Sequence, residues 1–258
     1  MPLLETVGSG SARSFGLNAG GDFFYPSLQL ITGYGGVSSP YGVWTANSYN
    51  PINSTLYDVS GNLNHSDEVN NPSQITKSTN YSGGSGTNST FTTLSAPAAD
   101  LYASAGNNRE AVPGIKLKNA FVASDNYTLF VVMRIYNGVT NRFIDGTNNN
   151  WLAGSWGGST GNFFQEGWLS GQNQQPHGNN WFLVTVKHGL GRTNAIQRTS
   201  NSPGTLNSIN RASLMHGQHS GEASNWAFAE AVYYNRSLNS TEFTNVENAL
   251  KSKYGLNY

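Results

Sequence analysis

Paired carboxylates are the first candidates for chemistry in this sequence, because two of them can cleave a glycosidic bond. The 258-residue chain has 14 acidic residues. A retaining glycosidase needs two carboxyl groups about 5–5.5 Å apart, and a pair on one strand would show as closely spaced acids. Glu166, Glu222 and Glu230 each stand alone in their segments. A pair assembled from distant segments stays open, but the pattern favours a protein that is not an enzyme.

Two other groups of side chains have the chemistry of metal ligands. His216, His219 and Glu222 have spacing that would suit chelation on a helix, but the glycines of HGQHSGE favour a loop with hydrogen-bonded or solvated histidines. Calcium is bound by oxygen ligands, often from loops, and Asp58 and Asp145 are therefore the candidates for a calcium site. Neither has EF-hand spacing, and Asp145 with the following glycine also predicts a turn. The expectation is a protein without a cofactor, with Ca²⁺ as the exception to test.

A Gly- and Asn-rich stretch contains most of the aromatic candidates for ligand binding. Trp151, Trp156 and Trp168 lie there together with Phe163 and Phe164. Exposed aromatic faces beside amides are suited to stacking on a sugar. Such side chains more often cover a core or turn inward at hairpins. The three tryptophans are therefore glycan-binding candidates, with core packing as the alternative.

A second aromatic group, Phe23, Phe24 and Tyr25, lies in the Gly/Ser-rich first part of the chain. We predict that residues 1–40 form an N-terminal arm or edge segment and that residues 41–258 form one domain. The three aromatic residues either dock the arm onto a partner or cover an edge strand.

Composition excludes several functional classes. The net charge is zero, so no phosphate-binding surface for nucleic acid is expected. No apolar run approaches the roughly 18 residues of a membrane span. There is no cysteine, and therefore no disulfide, thiolate metal site or cysteine nucleophile. The N-terminus also lacks the pattern of a signal peptide.

Turn signals and apolar alternation predict strands through the middle of the chain. The run Tyr127–Tyr136 suits a central strand covered on both faces, and Asn137-Gly138 after it predicts a hairpin turn. In Trp181–Gly189, Phe182, Val184 and Val186 share one face. In Asn225–Asn235, large and small residues alternate, with Trp226, Phe228, Val232 and Tyr234 as the large set. Many short strands without a βαβ rhythm predict an all-β, two-sheet antiparallel β-sandwich.

The end of the chain predicts a short C-terminal α-helix. Asn239 and Glu242 have the spacing of a capping box, and Leu238 with Phe243 that of a hydrophobic staple. We expect four residues to form the buried stripe: Phe243, Val246, Leu250 and Tyr254. We expect three others to point away from the sandwich: Glu247, Asn248 and Lys251. Gly255 suits a left-handed C-terminal cap.

These residues carry a resemblance to a known family. The segment AEAVYYNRSLNSTEFTNVENALKSKYGL resembles the closing segment of concanavalin A-like, laminin-G-type domains, where a strand ending in Y-N-R-x-L precedes a short helix. YDVSGNLNHS (Tyr57–Ser66) is similar to the family's Asp-x-Ser-Gly-Asn turn, and Asn150–Trp168 falls where the family has central hairpins. The resemblance implies a concanavalin A-like jelly roll, a fold that serves lectins, glycosidases, adhesion modules and virion proteins alike.

The first residues narrow this choice. GSGSARSFGLNAGG is similar to N-terminal segments of phage and large-virus structural proteins. Together with the absence of cysteine and of an export signal, it predicts a non-enzymatic virion protein, such as a minor capsid, decoration or tail-fibre component. Its expected partners are other virion proteins, cell-surface glycans and further copies of itself. The alternative is an extracellular carbohydrate-binding module beside a polysaccharide-active or adhesion protein.

Overall fold

A computed structural model describes residues 30–79, 89–104, 111–122, 126–137, 141–171, 175–176, 180–204, 210–215 and 222–258. The strands are β1 (Gly33–Tyr34), β2 (Val37–Ser38), β3 (Gly42–Asn50), β4 (Thr55–Asp58), β5 (Glu68–Asn70), β6 (Thr76–Thr79), β7 (Thr92–Ala96), β8 (Gly114–Phe121), β9 (Thr128–Ile135), β10 (Ile144–Gly146), β11 (Trp151–Trp156), β12 (Ser159–Gln165), β13 (Gln175–Pro176), β14 (Phe182–Lys187), β15 (Leu190–Thr193), β16 (Ile196–Gln197), β17 (Arg211–Leu214) and β18 (Trp226–Tyr234). The helices are α1 (Ala98–Ser104) and α2 (Ser240–Tyr254), with a 3₁₀ turn at Pro72–Gln74.

Two antiparallel sheets form the sandwich. The first has the order β13-β12-β11-β10-β17-β8-β5. The second has the order β16-β15-β14-β9-β18-β3-β4, and β7 also pairs with β18 while β6 pairs with β7. Every strand pairing between named strands is antiparallel. The predicted antiparallel β-sandwich with a C-terminal helix is therefore confirmed.

Strand β9 lies at the centre of the second sheet, between β14 and β18. Leu129, Val131 and Met133 face the core between the two sheets. Phe130 and Val132 face the other side, where they belong to a second apolar cluster with helix α2. Because both faces are covered, all eight residues of the strand are buried. This agrees with the prediction of a central strand covered on both faces.

Strands β14 and β18 differ in how well alternation describes them. In β14, Phe182, Val184 and Val186 face the inter-sheet core as predicted. In β18 the register shifts between Phe228 and Glu230, which marks a β-bulge. Trp226 and Phe228 therefore face the core, whereas Val232 and Tyr234 face helix α2. The predicted alternation of large and small residues therefore does not keep the four large residues on one face, because the bulge exchanges the two faces.

The two predicted turns of the middle region also have different outcomes. Asn137 has the left-handed conformation expected of a turn residue (φ 58°), and Gly138 lies outside the described residues. Asp145 and Gly146 are part of β10 instead of forming a turn, with Asp145 paired to Leu152 and Ser213. The chain turns between Thr147 and Asn150, just after β10.

Helix α2 begins and ends as its sequence predicts. Asn239 Oδ1 accepts hydrogen bonds from the backbone N–H groups of Thr241 and Glu242, both at 3.0 Å, and the Glu242 carboxylate accepts from Asn239 N at 3.1 Å. Leu238 and Phe243 are both buried. Gly255 ends the helix with φ 58°. Hydrogen bonds from Arg236 and from Asn239 lower the pKa of Glu242 to about 2.

One side chain of α2 was assigned to the wrong face. Glu247 is 1% exposed, and its carboxylate contacts Arg192 Nη1 at 2.9 Å and accepts from Thr185 Oγ1 at 2.9 Å. Burial raises the pKa of Glu247, while Arg192 and Thr185 oppose that rise. The Glu247 carboxylate therefore faces the sheet, where Thr185 of β14 and Arg192 of β15 are its partners.

A second buried carboxylate approaches α2 from the sheet. Glu230 of β18 accepts hydrogen bonds from Tyr34 Oη, from Tyr254 Oη at 2.5 Å and from Lys253 Nζ at 2.7 Å. Burial raises the pKa of both tyrosines, and the Glu230 carboxylate raises it further. One buried acid therefore connects β1, β18 and the last turn of α2. Neither helix of the described residues is long and apolar enough to span a membrane.

Replacing Asn239 with Ala tests the helix cap. We expect the free energy of unfolding to fall by about 1 kcal/mol, because two N–H groups of the first turn lose their acceptor. Urea denaturation followed by tryptophan fluorescence measures the change. Asn248→Ala is the matched control, since Asn248 is exposed within the same helix. Equal effects of the two substitutions would contradict the assignment of the cap.

Candidate functional site

The three candidate tryptophans lie in different environments. Trp151 is 0% exposed and belongs to the inter-sheet core, together with Ala153 two positions along β11. Of the two roles predicted for Trp151, glycan binding and core packing, it has the second, because side chains two apart on a strand share a face and this face points inward. Trp156 and Trp168 are only partly buried.

The β11–β12 hairpin positions Trp156. Trp156 and Ser159 are cross-strand partners, and the two residues between them, Gly157 and Gly158, have φ of 58° and 84°. Positive φ at both central positions is typical of a two-residue type I′ turn, and glycine adopts it without strain. Trp156 is therefore held at the last position of β11, directly before a tight turn.

A second reversal of the chain positions Trp168. Glu166 has a left-handed backbone (φ 48°), and Gln165 N donates to Gly167 O at 2.9 Å across the turn. Trp168 then pairs with Phe164 in an isolated antiparallel bridge. Leu169 and Phe163 both face the core. Trp168 and Phe164 consequently lie side by side on the outer face of the sheet.

These two turns bring three aromatic rings together. The ring centroids of Trp156 and Trp168 are 5.1 Å apart, and those of Phe164 and Trp168 are 5.2 Å apart, both in edge-to-face geometry. All three side chains are partly exposed. We call Trp156, Phe164 and Trp168 the aromatic cluster. The sequence named both tryptophans, but only strand alternation in the folded sheet separates exposed Phe164 from buried Phe163.

Amide side chains fix the backbone beneath the aromatic cluster. Asn162 Nδ2 donates to Trp156 O at 2.8 Å and to Ser159 Oγ at 2.7 Å. Asn201 Nδ2 donates to Trp168 O at 3.0 Å. Asn162 is fully buried, whereas Asn201 is exposed. The backbone of Trp156 is thus held by the buried amide of Asn162, and the backbone of Trp168 by the exposed amide of Asn201.

The three glutamates considered as catalytic candidates do not share one setting. Glu230 is buried beneath α2 with its tyrosine and lysine partners. Glu222 forms an ion pair with Arg142. Glu166 is exposed at the turn before Trp168, and its Oε1 accepts from Asn150 N at 2.9 Å. Of these three, Glu166 is the one that is two residues along the chain from both Phe164 and Trp168.

Asp58 uses its carboxylate to close a loop. Its Oδ1 accepts from Val43 N and Ser60 N, both at 2.8 Å, and its Oδ2 accepts from Ser60 Oγ and Asn64 N, both at 2.9 Å. Four donors occupy the roughly four lone-pair sites of the carboxylate, which leaves none for a cation. The calcium hypothesis for Asp58 is corrected accordingly: this residue organises the turn of the Asp-x-Ser-Gly-Asn segment.

Asp145 is 2% exposed and accepts a hydrogen bond from Ser213 Oγ. A calcium role for it stays a prediction. The described part of the chain has no group of three or more His, Cys, Asp or Glu residues that could hold a metal ion. His216 and His219 lie outside the described residues, as do Phe23, Phe24 and Tyr25.

The loop after Asp58 has a titratable partner whose protonation we expect to weaken the fold. His65 Nδ1 accepts from Asp58 N at 3.1 Å, and burial lowers the pKa of His65 from its ordinary value of 6.5, with Asp58 opposing and Lys118 adding to the shift. A lowered pKa means that the unfolded chain takes up the proton first, so the stabilisation is complete above pH 6.5 and is lost as the pH falls.

Comparing the wild-type protein with His65→Gln tests this coupling. We expect the wild type to lose more unfolding free energy than the variant between pH 7.5 and pH 5, measured by urea denaturation at each pH. Identical losses in the two proteins would show that His65 is not coupled to folding.

No protein-family model matches the chain, and no curated protein matches its sequence. Solved structures share its fold. The binding domain of Paraclostridial Mosquitocidal Protein 1 has a TM-score of 0.52 at 13% identity, over 83% of this chain and 52% of that one. The binding domain of Botulinum Neurotoxin DC in complex with SialylT has a TM-score of 0.51 at 13% identity, over 82% and 51%.

A Trypanosoma rangeli sialidase, in complex with 2,3-difluoro-KDN, has a TM-score of 0.51 at 14% identity, over 88% of this chain and 36% of that one. The chain therefore spans about half the length of the two binding domains and about a third of the sialidase. At such identities the likeness concerns the fold alone, which is that of a β-sandwich.

Proposed function

We propose that this chain is a lectin-like binding module that holds a glycan on its aromatic cluster and has no catalytic activity of its own. The observation that carries the proposal is the contact of Trp156, Phe164 and Trp168, three partly exposed rings on one outer surface. Aromatic faces bind the apolar C–H faces of sugars, and an indole N–H adds a hydrogen-bond donor.

The frame around the cluster favours binding because little order has to be gained when a ligand arrives. Trp156 ends a paired strand before a Gly-Gly turn, and Trp168 is bridged to Phe164. Rigid aromatic side chains have few torsions to immobilise, which reduces the entropic cost of association. The exposed amide of Asn201 beside Trp168 supplies polar contacts of the kind that orient a hydroxylated ligand.

The structural neighbours support the same class of function. Two of the three are binding domains, and one of these is in complex with SialylT. The third is a sialidase, so the fold also occurs within an enzyme. A non-catalytic role is supported by the settings of two of the three glutamates, since Glu230 is hydrogen-bonded beneath a helix and Glu222 is paired with Arg142.

We also propose that the sandwich is a concanavalin A-like jelly roll and that the protein is part of a virion. The closing strand and helix support the first, because the segment that carries the family resemblance forms β18 and α2. The N-terminal sequence and the absence of cysteine support the second. On a virion, a lectin-like sandwich would contact other virion proteins and host glycans, and further copies of the chain would make such contacts multivalent.

Substitution of Trp168 by Ala tests the glycan site. If the wild-type protein binds a member of a glycan array, we expect W168A to weaken that binding by about tenfold or more, equivalent to about 1.4 kcal/mol. The reason is the loss of the ring that contacts both other members of the cluster. Phe164→Ala should weaken binding in the same direction.

Phe121→Ala is the matched control for these variants, because Phe121 is an exposed aromatic residue (37%) outside the cluster. It should leave glycan affinity unchanged. Circular dichroism of all the variants checks that each is folded. A wild-type protein that binds no glycan, or a folded W168A that binds as well as the wild type, would contradict the proposed site.

The virion location has its own experiment. Particles released from a culture that expresses this chain are expected to contain it in a mass-spectrometric inventory after gradient purification. An abundant cytosolic protein serves as the control for contamination. Absence of the chain from purified particles that retain their other structural proteins would contradict this location and leave the glycan-binding proposal intact.

A further inference from the structure

Glu166 combines an unusual backbone with a position beside the aromatic cluster. Its φ of 48° lies in the left-handed region, which a residue with a Cβ adopts only under strain. Three backbone hydrogen bonds fix this turn: Gln165 N to Gly167 O at 2.9 Å, Glu166 N to Asn150 O at 3.1 Å and Gly204 N to Gln165 O at 2.8 Å. The surrounding strands therefore hold Glu166 in one conformation.

The segment around Gly204 packs too closely against this turn for the turn to change its conformation. A Cβ placed on Gly204 would lie 2.2 Å from Glu166 O. Asn150 contacts Glu166 twice, because its carbonyl accepts from Glu166 N and its N–H donates to Glu166 Oε1 at 2.9 Å. The direction of the carboxylate is consequently fixed by the backbone that precedes β11.

The second carboxylate oxygen of Glu166 is available to a ligand. The side chain is exposed, and within the described residues Oε2 accepts no hydrogen bond. Glu166 is two residues from both Phe164 and Trp168, so its Cα lies within about 7.6 Å of each of theirs. The backbone of Glu166 therefore lies at the margin of the aromatic cluster, and its exposed carboxylate is oriented by Asn150.

We propose that Glu166 determines which glycans the aromatic cluster accepts, favouring uncharged pyranoses with adjacent free hydroxyls over sialylated ones. This inference rests on the proposed glycan-binding function and names its ligand class. A carboxylate only accepts hydrogen bonds, and hydroxyl groups of a sugar donate them in short, charge-assisted contacts. The carboxylate of a terminal sialic acid would instead meet a like charge at the same margin.

The cation connected to this turn is not free to reverse that preference. Arg142 reaches Asn150 Oδ1 through Nη2 at 2.9 Å, but its side chain is 5% exposed and forms an ion pair with Glu222. Its guanidinium also donates to Trp151 O. Arg142 is therefore held beneath the surface by its other partners.

Arg198 is the charged residue that offers the competing explanation. It is partly exposed and precedes the segment in which Ser200 N and Asn201 N both donate to Leu169 O, next to Trp168. If its guanidinium rather than the Glu166 carboxylate controlled the site, sialylated glycans would bind better than neutral ones. The two residues thus predict opposite preferences.

The test uses immobilised pairs of neutral glycans and their sialylated counterparts, probed with the full chain and with Glu166→Gln. Gln keeps an oxygen that can accept from Asn150 N, so the turn is retained while the charge is removed. We expect the wild type to prefer the neutral member of each pair, and E166Q to reduce that preference about tenfold. Glu68→Gln is the matched control, since Glu68 is exposed on β5 at the far edge of the same sheet.

Two results would overturn the role of Glu166 while leaving the glycan site itself in place. One is a neutral-to-sialylated ratio for E166Q equal to that of the wild type and E68Q. The other is a wild type that prefers sialylated members and loses this preference in Arg198→Gln. Absence of any binding by the wild type would instead remove the proposed function, and this inference with it.

Discussion

The pairing of β9 with β18 is the constraint on which the rest of the structure depends. Both strands are buried along their whole length, because one face of each lies in the inter-sheet core and the other lies beneath helix α2 or β1–β2. Such a pair has no solvent face to absorb an error of register, since a shift of one residue would exchange its two faces. The β-bulge of β18, between Phe228 and Glu230, exchanges the two faces of that strand once.

The bulge explains why one of the two buried carboxylates around α2, that of Glu230, is directed at the helix. Glu230 follows the irregularity and is directed toward the helix, where Tyr254 and Lys253 bind it. Glu247 approaches from the helix and meets Arg192 and Thr185. Buried charges are tolerated only when they are paired, and removing one partner of such a pair is strongly destabilising. The helix is thus fixed in rotation by two specific polar contacts as well as by its apolar stripe.

The aromatic cluster lies in the other sheet, away from this helix. Its members depend on short-range features, namely the Gly157-Gly158 turn and the left-handed backbone of Glu166, more than on the central strands. A rigid sandwich can therefore carry a surface cluster whose geometry is set by nearby turns. This separation of frame and site is consistent with a fold that hosts many functions, and with neighbours that share the architecture at identities of 13–14%.

The sequence by itself determined much of the secondary structure, because these features depend on residues close together in the chain. Strand character in Tyr127–Tyr136, the alternation of β14 and the caps of α2 follow from side-chain periodicity and from hydrogen bonds between residues a few positions apart. Only the tertiary structure decided that Trp151 is buried while Trp156 and Trp168 meet on the surface, and that Glu247 faces Arg192. The physical reason is that burial depends on what packs opposite a residue, and those partners come from segments distant in the chain.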